Sequence, residues 1–175
     1  MKEEHQHQLE EWTGMKCNDI VFDSNVDNWS EKTSIFDDRI VGKKQLVFLI
    51  ENEDNEKFGY YLNTEVIKIY HQLQQTDTKT FQFNLQSKNN QLKQPMKFEI
   101  KDLKEGGIVL YPKSDFCLIN LGDIHLRKEN VKKDSNCFQD KNNFDYHGIE
   151  KALCGKSNRD NEYFTLKRII VIQMK

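Results

Sequence analysis

Residues 46–62, LVFLIENEDNEKFGYYL, place two apolar runs on either side of an acidic, amide-rich knot. The knot reads either as a calcium loop or as the tip of a β-hairpin. An EF-hand register starting at Asp54 puts Glu56 at position 3, Gly59 at position 6 and Glu65 at position 12. Position 5 is then Phe58, whose side chain carries no ligand oxygen. The approach is also wrong for a calcium loop, because QLVFLIE is short and rich in β-branched and aromatic residues, as a strand is. Asp54 and Asn55 suit a tight turn, since their short polar side chains tolerate backbone conformations that most residues avoid. The stretch is read as a hairpin, with calcium binding at its tip kept as an alternative.

In QLVFLIE both alternating sets are apolar, Leu46, Phe48 and Ile50 on one side and Val47 and Leu49 on the other. A strand of this kind is covered on both faces and lies centrally in a sheet. Downstream, TFQFNLQS alternates Phe81, Phe83 and Leu85, expected inward, with Gln82, Asn84 and Gln86, expected outward. MKFEI repeats the pattern, and IVLY, FCLIN and DIHLR follow as short strands separated by turn signals. EYFTLKRIIVIQM closes the chain, with Phe164, Leu166, Ile170 and Ile172 expected on one alternating set. EVIKIYHQL fits helix and strand equally. Lys128 to Asn143 reads as a long surface loop, and HGIEKALCGKS as a helical turn or two.

Before the hairpin, DIVF suggests a first strand. SIFDDRIVGK suggests a short helix, with Ser34 as its cap and Gly42 as its stop. KEEHQHQLEEWTG forms a docking helix through Leu9 and Trp12, ending near Gly14. His5 and His7 stand two apart, do not face each other on a helix, and are expected in solvent. The chain thus divides into a helix over 1–14 and a single domain over 15–175. Many short strands, few helices and no alternation of strand with helix predict a mainly β, α+β fold. Its architecture is a two-layer antiparallel sandwich.

The 175 residues suffice for one real core, since a chain of this size buries roughly 70% of its unfolded surface. Hydrophobic residues make up 37% and charged residues 31%, and the formal net charge is −2. That balance offers no field for a polyphosphate, so nucleic acid is not an expected partner. The apolar runs are too short to cross a bilayer as helices, and the charged N-terminus lacks the apolar middle of a signal peptide. The expectation is therefore cytoplasmic. Cysteines stand at 17, 117, 137 and 154 with no Cys-x-x-Cys pair, which argues against a zinc ribbon. They are expected as free thiols, several of them filling core positions.

No catalytic constellation is complete. The serine-hydrolase elbow and His-Glu-x-x-His are absent, and GIEKALCGKS carries Glu150 where a phosphate loop needs its first glycine. His125 is expected to point outward between inward Ile124 and Leu126. Cys137 and His147 lack a third, orienting group. A cysteine-based redox enzyme or sensor remains an alternative, with Cys137 and Cys154 as its pair. No cofactor or metal is called for.

The ordered series TSIFDDRIVGKKQLVFLIE, EKFGYYL, TFQFNLQS, NLGDIHLRKEN, the later Phe-Asp-Tyr, ALCGKS and EYFTLKRIIVIQM resembles the TLDc domain of the oxidation-resistance protein family. The resemblance runs from about Ser34 to Met174. It implies a two-sheet antiparallel sandwich edged by short helices. It also implies a non-enzymatic interaction module linked to protection against oxidative stress, with protein partners that include subunits of the vacuolar proton-pumping ATPase. Phe58, Gly59 and Tyr61 fall on one family motif and Gly122 and Asp123 on another, in structural or partner-contact roles. The family often carries acidic residues in the last strand, where this chain has Lys167 and Arg168.

Overall fold

The computed structural model describes residues 1–87, 94–101, 103, 106–129, 131, 135–137 and 162–175. Two six-stranded sheets, paired antiparallel throughout, face each other. The first holds β1 (Cys17–Asp23), β12 (Leu166–Met174), β2 (Leu46–Asn52), β3 (Lys57–Leu62), β5 (Phe81–Gln86) and β6 (Met96–Glu99), in that spatial order. The second runs β11 (Glu162–Phe164), β10 (Ser135–Cys137), β9 (Ile124–Arg127), β8 (Cys117–Leu121), β7 (Ile108–Leu110) and β4 (Leu73–Gln74). Helix α1 spans Glu3–Thr13, and the single turn α2 spans Phe36–Ile40. The mainly β, two-layer antiparallel architecture is the one the strand pattern predicts.

β2 is central, flanked by β12 and β3, and buried on both faces as its doubly apolar sequence requires. Its Leu46, Phe48 and Ile50 enter the layer between the sheets with Phe58, Tyr60, Ile119, Leu121, Ile124 and Val171. Its Val47 and Leu49 enter a second layer with Tyr61, Phe81, Phe83, Ile170 and Ile172, roofed by Leu9 and Trp12 of α1. The two-sheet sandwich is therefore roofed on one outer face by α1. The hairpin reading holds. Asn55 at the tip takes φ 61°, and Glu56 donates its N–H to the Asn52 side chain at 2.9 Å while its carboxylate accepts from the Asn52 amide at 2.6 Å. Phe58 and Gly59 lie inside β3 rather than in a loop, so the calcium register loses its turn glycine.

Several expectations need correction. In β5 the phenylalanines do face an apolar layer, but it is the one beneath α1. Gln82 and Asn84 point between the sheets and are buried. Alternation separates two faces without saying which one meets the partner sheet, and Gln82 reaches across to donate to the Leu121 carbonyl at 3.1 Å. The terminal segment is two strands, not one. Phe164 ends β11 in the second sheet, the chain crosses at Thr165, and β12 then sends Ile169 and Val171 into the inter-sheet core and Ile170 and Ile172 under the helix.

The expected loop after Lys128 contains β10, and Lys128 itself is buried. Its ammonium donates to the carbonyls of Pro112, Lys113 and Asp115 at 2.7, 3.0 and 2.6 Å, which satisfies a charge that burial would otherwise penalise. Ser34 caps from one position further out than expected. Ile35 is the residue flanking α2, while the Ser34 hydroxyl accepts the Phe36 N–H at 3.2 Å. EVIKIYHQL is neither helix nor continuous strand; it runs irregularly into β4. His147, Cys154 and the HGIEKALCGKS segment lie outside the described residues.

Candidate functional site

The family-motif residues occupy separate places in the sandwich. Phe58 is fully buried in the inter-sheet core, its ring edge-on to Phe164 at 5.2 Å. Gly59 sits opposite Leu49 and Phe83, where a Cβ would come within 1.9 Å of the Phe48 carbonyl oxygen. Only glycine lets β2, β3 and β5 close at that rung. Tyr61 lies in the helix-covered layer, stacked at 5.1 Å on Phe81, and its hydroxyl donates to Asn63 at 3.0 Å. Gly122 and Asp123 form the two-residue turn between β8 and β9, with Gly122 at φ 56° as a primed hairpin turn needs at its first position. Phe58, Gly59 and Tyr61 lie in the first sheet and Gly122 and Asp123 in a turn of the second, so they do not converge.

Convergence is found on the outward side of the second sheet. Its inward set is Ile108, Leu110, Ile119, Leu121, Ile124 and Leu126; its outward set brings Cys117 opposite Arg127 and Asn120 opposite His125. His125 is half-buried between the buried Ile124 and Leu126, as alternation predicts. Asn120 donates to the Tyr111 hydroxyl at 3.0 Å, and His71 packs edge-on to the Tyr111 ring at 5.3 Å. The Arg127 guanidinium lies 5.0 Å from the Phe116 ring centre, and its Nη1 is 3.8 Å from the Cys117 sulfur. Arg127 also borders a cleft of about 360 Å³ between the ends of the two sheets, lined by Trp29, Glu53, Glu129, Ser135, Thr165 and Lys167.

The electrostatics favour neutral groups here. Burial, helped by Arg127, holds the His125 imidazole below its ordinary range. Burial pushes the Cys117 thiol up, and the Arg127 charge only partly opposes it. Among the described residues the sulfur pairs with Arg127 rather than with an imidazole, so they do not form the thiolate–imidazole geometry of a cysteine nucleophile. The described side chains form a mixed aromatic, amide and guanidinium surface. Neither its Arg127–Phe116 pair nor Cys117 was singled out from sequence. The Phe-Cys dipeptide entering β8 was the available signal, but pairing with Arg127 depends on strand register.

Cys137 lies in β10 with Ile124 and Glu162 as its cross-strand backbone neighbours. Cys17 and Cys117 are free and half-exposed, so neither fills a core position outright. The basic pair in the last strand is fully engaged. Lys167 bridges to Glu51 at 2.7 Å and Asn55 at 2.8 Å, and Arg168 grips Asp23 with two hydrogen bonds. Among the described residues no group of three or more His, Cys, Asp or Glu is placed to hold a metal ion. No described helix is long and apolar enough to cross a membrane. No protein-family model matches this chain, and no curated protein is significantly similar to it.

Proposed function

We propose that the chain is a protein-docking module of the oxidation-resistance kind, working in the cytoplasm and binding subunits of the vacuolar proton-pumping ATPase in the context of oxidative stress. The ordered sequence resemblance and the two-sheet sandwich support this reading. The observation that carries it is the Phe116–Arg127 pair, in which an aromatic ring 48% exposed is held under a guanidinium on the outward side of the second sheet. Arginine and aromatic side chains are enriched at protein interfaces and among the residues that carry most of their binding energy.

Affinity capture with mass spectrometry tests it, comparing the wild type with Phe116→Ala and Arg127→Ala. Pump subunits are expected with the wild type and lost with either variant, each truncation costing about 1–2 kcal/mol of binding. Equal recovery with all three proteins, or repeated capture without any pump subunit, overturns the reading.

A further inference from the structure

The sequence placed His5 on a solvated surface, yet in the structure it is 4% exposed, beneath the first turns of α1. Its Nδ1 is buried with no hydrogen-bond partner. A neutral imidazole protonated at Nε2 leaves only a bare acceptor at Nδ1, which is a modest cost. An imidazolium places a charge and a second N–H donor at that buried position; the donor at Nδ1 has no acceptor, and the charge is answered only by the exposed Glu4.

The helix above it is built to release from one end. At its C-terminal end, Glu10 binds Lys16 at 2.5 Å and accepts the Cys17 N–H at 3.1 Å, so that end is tied to β1. Toward the N-terminus, the hydrogen bonds of Gln6 and Gln8 run along the helix to Glu10 and Glu11. Among the described residues no hydrogen bond joins the first two turns to the sheet. Lys2 flanks the start without a capping side chain. An 11-residue helix has little stability alone, so α1 is helical largely because it is docked, and undocking also melts it. Leu9 and Trp12 hold it over an aromatic layer of Tyr61, Phe81 and Phe83, and His5 is buried one turn before Leu9.

We infer that α1 is a proton-released latch, in which protonation of His5 lifts the N-terminal turns and uncovers the aromatic face of the first sheet. The charges around the imidazole support this direction. Burial dominates and disfavours the cation; Lys2, Lys57 on β3 and the N-terminal amine act the same way. Glu4, 3.8 Å from Nε2, opposes them, but it is exposed and screened. Lys57 is itself paired with Glu51 of β2 at 3.4 Å. On β6, Lys97 lies over the Phe81 ring at 4.7 Å and is paired with Glu99 at 3.1 Å. A histidine held neutral in the folded state stabilises docking fully above its ordinary pKa. That stability is lost as pH falls from there through the lowered value, because the undocked state binds the proton more readily.

This device goes beyond the docking function proposed above and does not depend on the partner. Hydrogen exchange of the full chain, read by mass spectrometry at pH 7.5 and 5.0 and corrected for intrinsic rates, tests it. In the wild type, protection of residues 3–13 is expected to fall several-fold, by no more than about tenfold per pH unit, the ceiling for one proton. Peptides from β8 and β9 report on His125, which burial also holds neutral, and any pH response there is expected to be unaffected by the His5 variants. His5→Leu is expected to abolish the pH response and His7→Gln to preserve it. His5→Gln, uncharged at both pH values, replaces the leucine variant if that one does not fold. An α1 response unchanged in the His5 variants, or a loss of protection shared equally by the whole domain, overturns the latch.

Discussion

The first sheet turns Val47, Leu49, Phe81, Phe83 and Ile172 away from the sandwich core, and a helix covers them; the second turns Cys117, Asn120, His125 and Arg127 outward. Strand spacing is the same in both, so the difference lies entirely in the off-core half of each alternating pattern. An apolar off-core set demands a roof, here α1. Among the described residues, a polar one leaves a half-buried surface on which side chains pair with one another. Tight geometry belongs to the roofed side and contact chemistry to the open one.

Substitution at Gly59 breaks the roofed side most severely. In Gly59→Ala the new methyl would collide with the Phe48 carbonyl oxygen at 1.9 Å and with the Phe83 ring at 2.8 Å, and backbone cannot move aside cheaply. A loss of about 4 kcal/mol or more in urea unfolding is expected, beyond the range of ordinary substitutions. A loss under about 1 kcal/mol would mean that β2 and β3 part more easily at that rung than their pairing implies.

The next test compares the two faces directly. Phe83→Ala empties a fully buried site under α1 and is expected to cost about 3–5 kcal/mol. Asn120→Ala, on the open face, removes one half-buried hydrogen bond to Tyr111 and is expected to cost about 1 kcal/mol. Equal losses by chemical denaturation would erase the distinction between roof and surface.

How much of this was legible depends on what each residue's neighbours in sequence could say. The hairpin was readable because Asp54 and Asn55 are local turn formers between two apolar runs. The doubly apolar β2 announced a strand buried on both faces. β5 announced its two faces but not their destinations, because only the arrival of α1 decides that Phe83 is roofed and Gln82 faces β8. His5 misled for a related reason. Its neighbours in sequence are charged, and its burial comes with the docking of α1, which they do not signal. The crossing at Thr165 was hidden because both strands it joins are apolar and the break has no glycine or proline. On the open face, Cys117 and Arg127 stand ten residues apart and meet only through hairpin register.

A smaller effect concerns the basic residues of β12. Arg168 lies beside Asp23 of β1 and holds that carboxyl below the usual carboxylate range. This stabilisation is fully present above the ordinary carboxylate pKa of about 4 and is lost as pH falls through the lowered value. Arg168→Met is expected to cost about 1–2 kcal/mol at neutral pH, after allowance for partial exposure, and to flatten the acid limb of the stability curve. Thermal unfolding between pH 2 and 7 measures both. An acid limb unchanged in the variant would mean that the pair does not hold the edge strand of the roofed sheet.

The least disruptive comparison uses Cys17 and Cys117, one bordering each face. Cys17 packs against the apolar layer under α1, and burial, reinforced by the Glu10 carboxylate, pushes its pKa up to about 11. At pH 7.5 that leaves about one molecule in three thousand as thiolate, against roughly one in ten for an ordinary cysteine. Cys117 is raised by burial too, but the neighbouring guanidinium partly offsets the penalty on the charged form. Iodoacetamide labelling of the folded protein, mapped by mass spectrometry, should therefore run slower than a peptide thiol at both sites, with Cys117 ahead of Cys17. Arg127→Gln should narrow the gap by removing the offset. If Cys117 instead labels as fast as an unfolded peptide, the open face activates its thiol rather than merely presenting it, and a redox role for that surface would gain a chemical basis that the present geometry withholds.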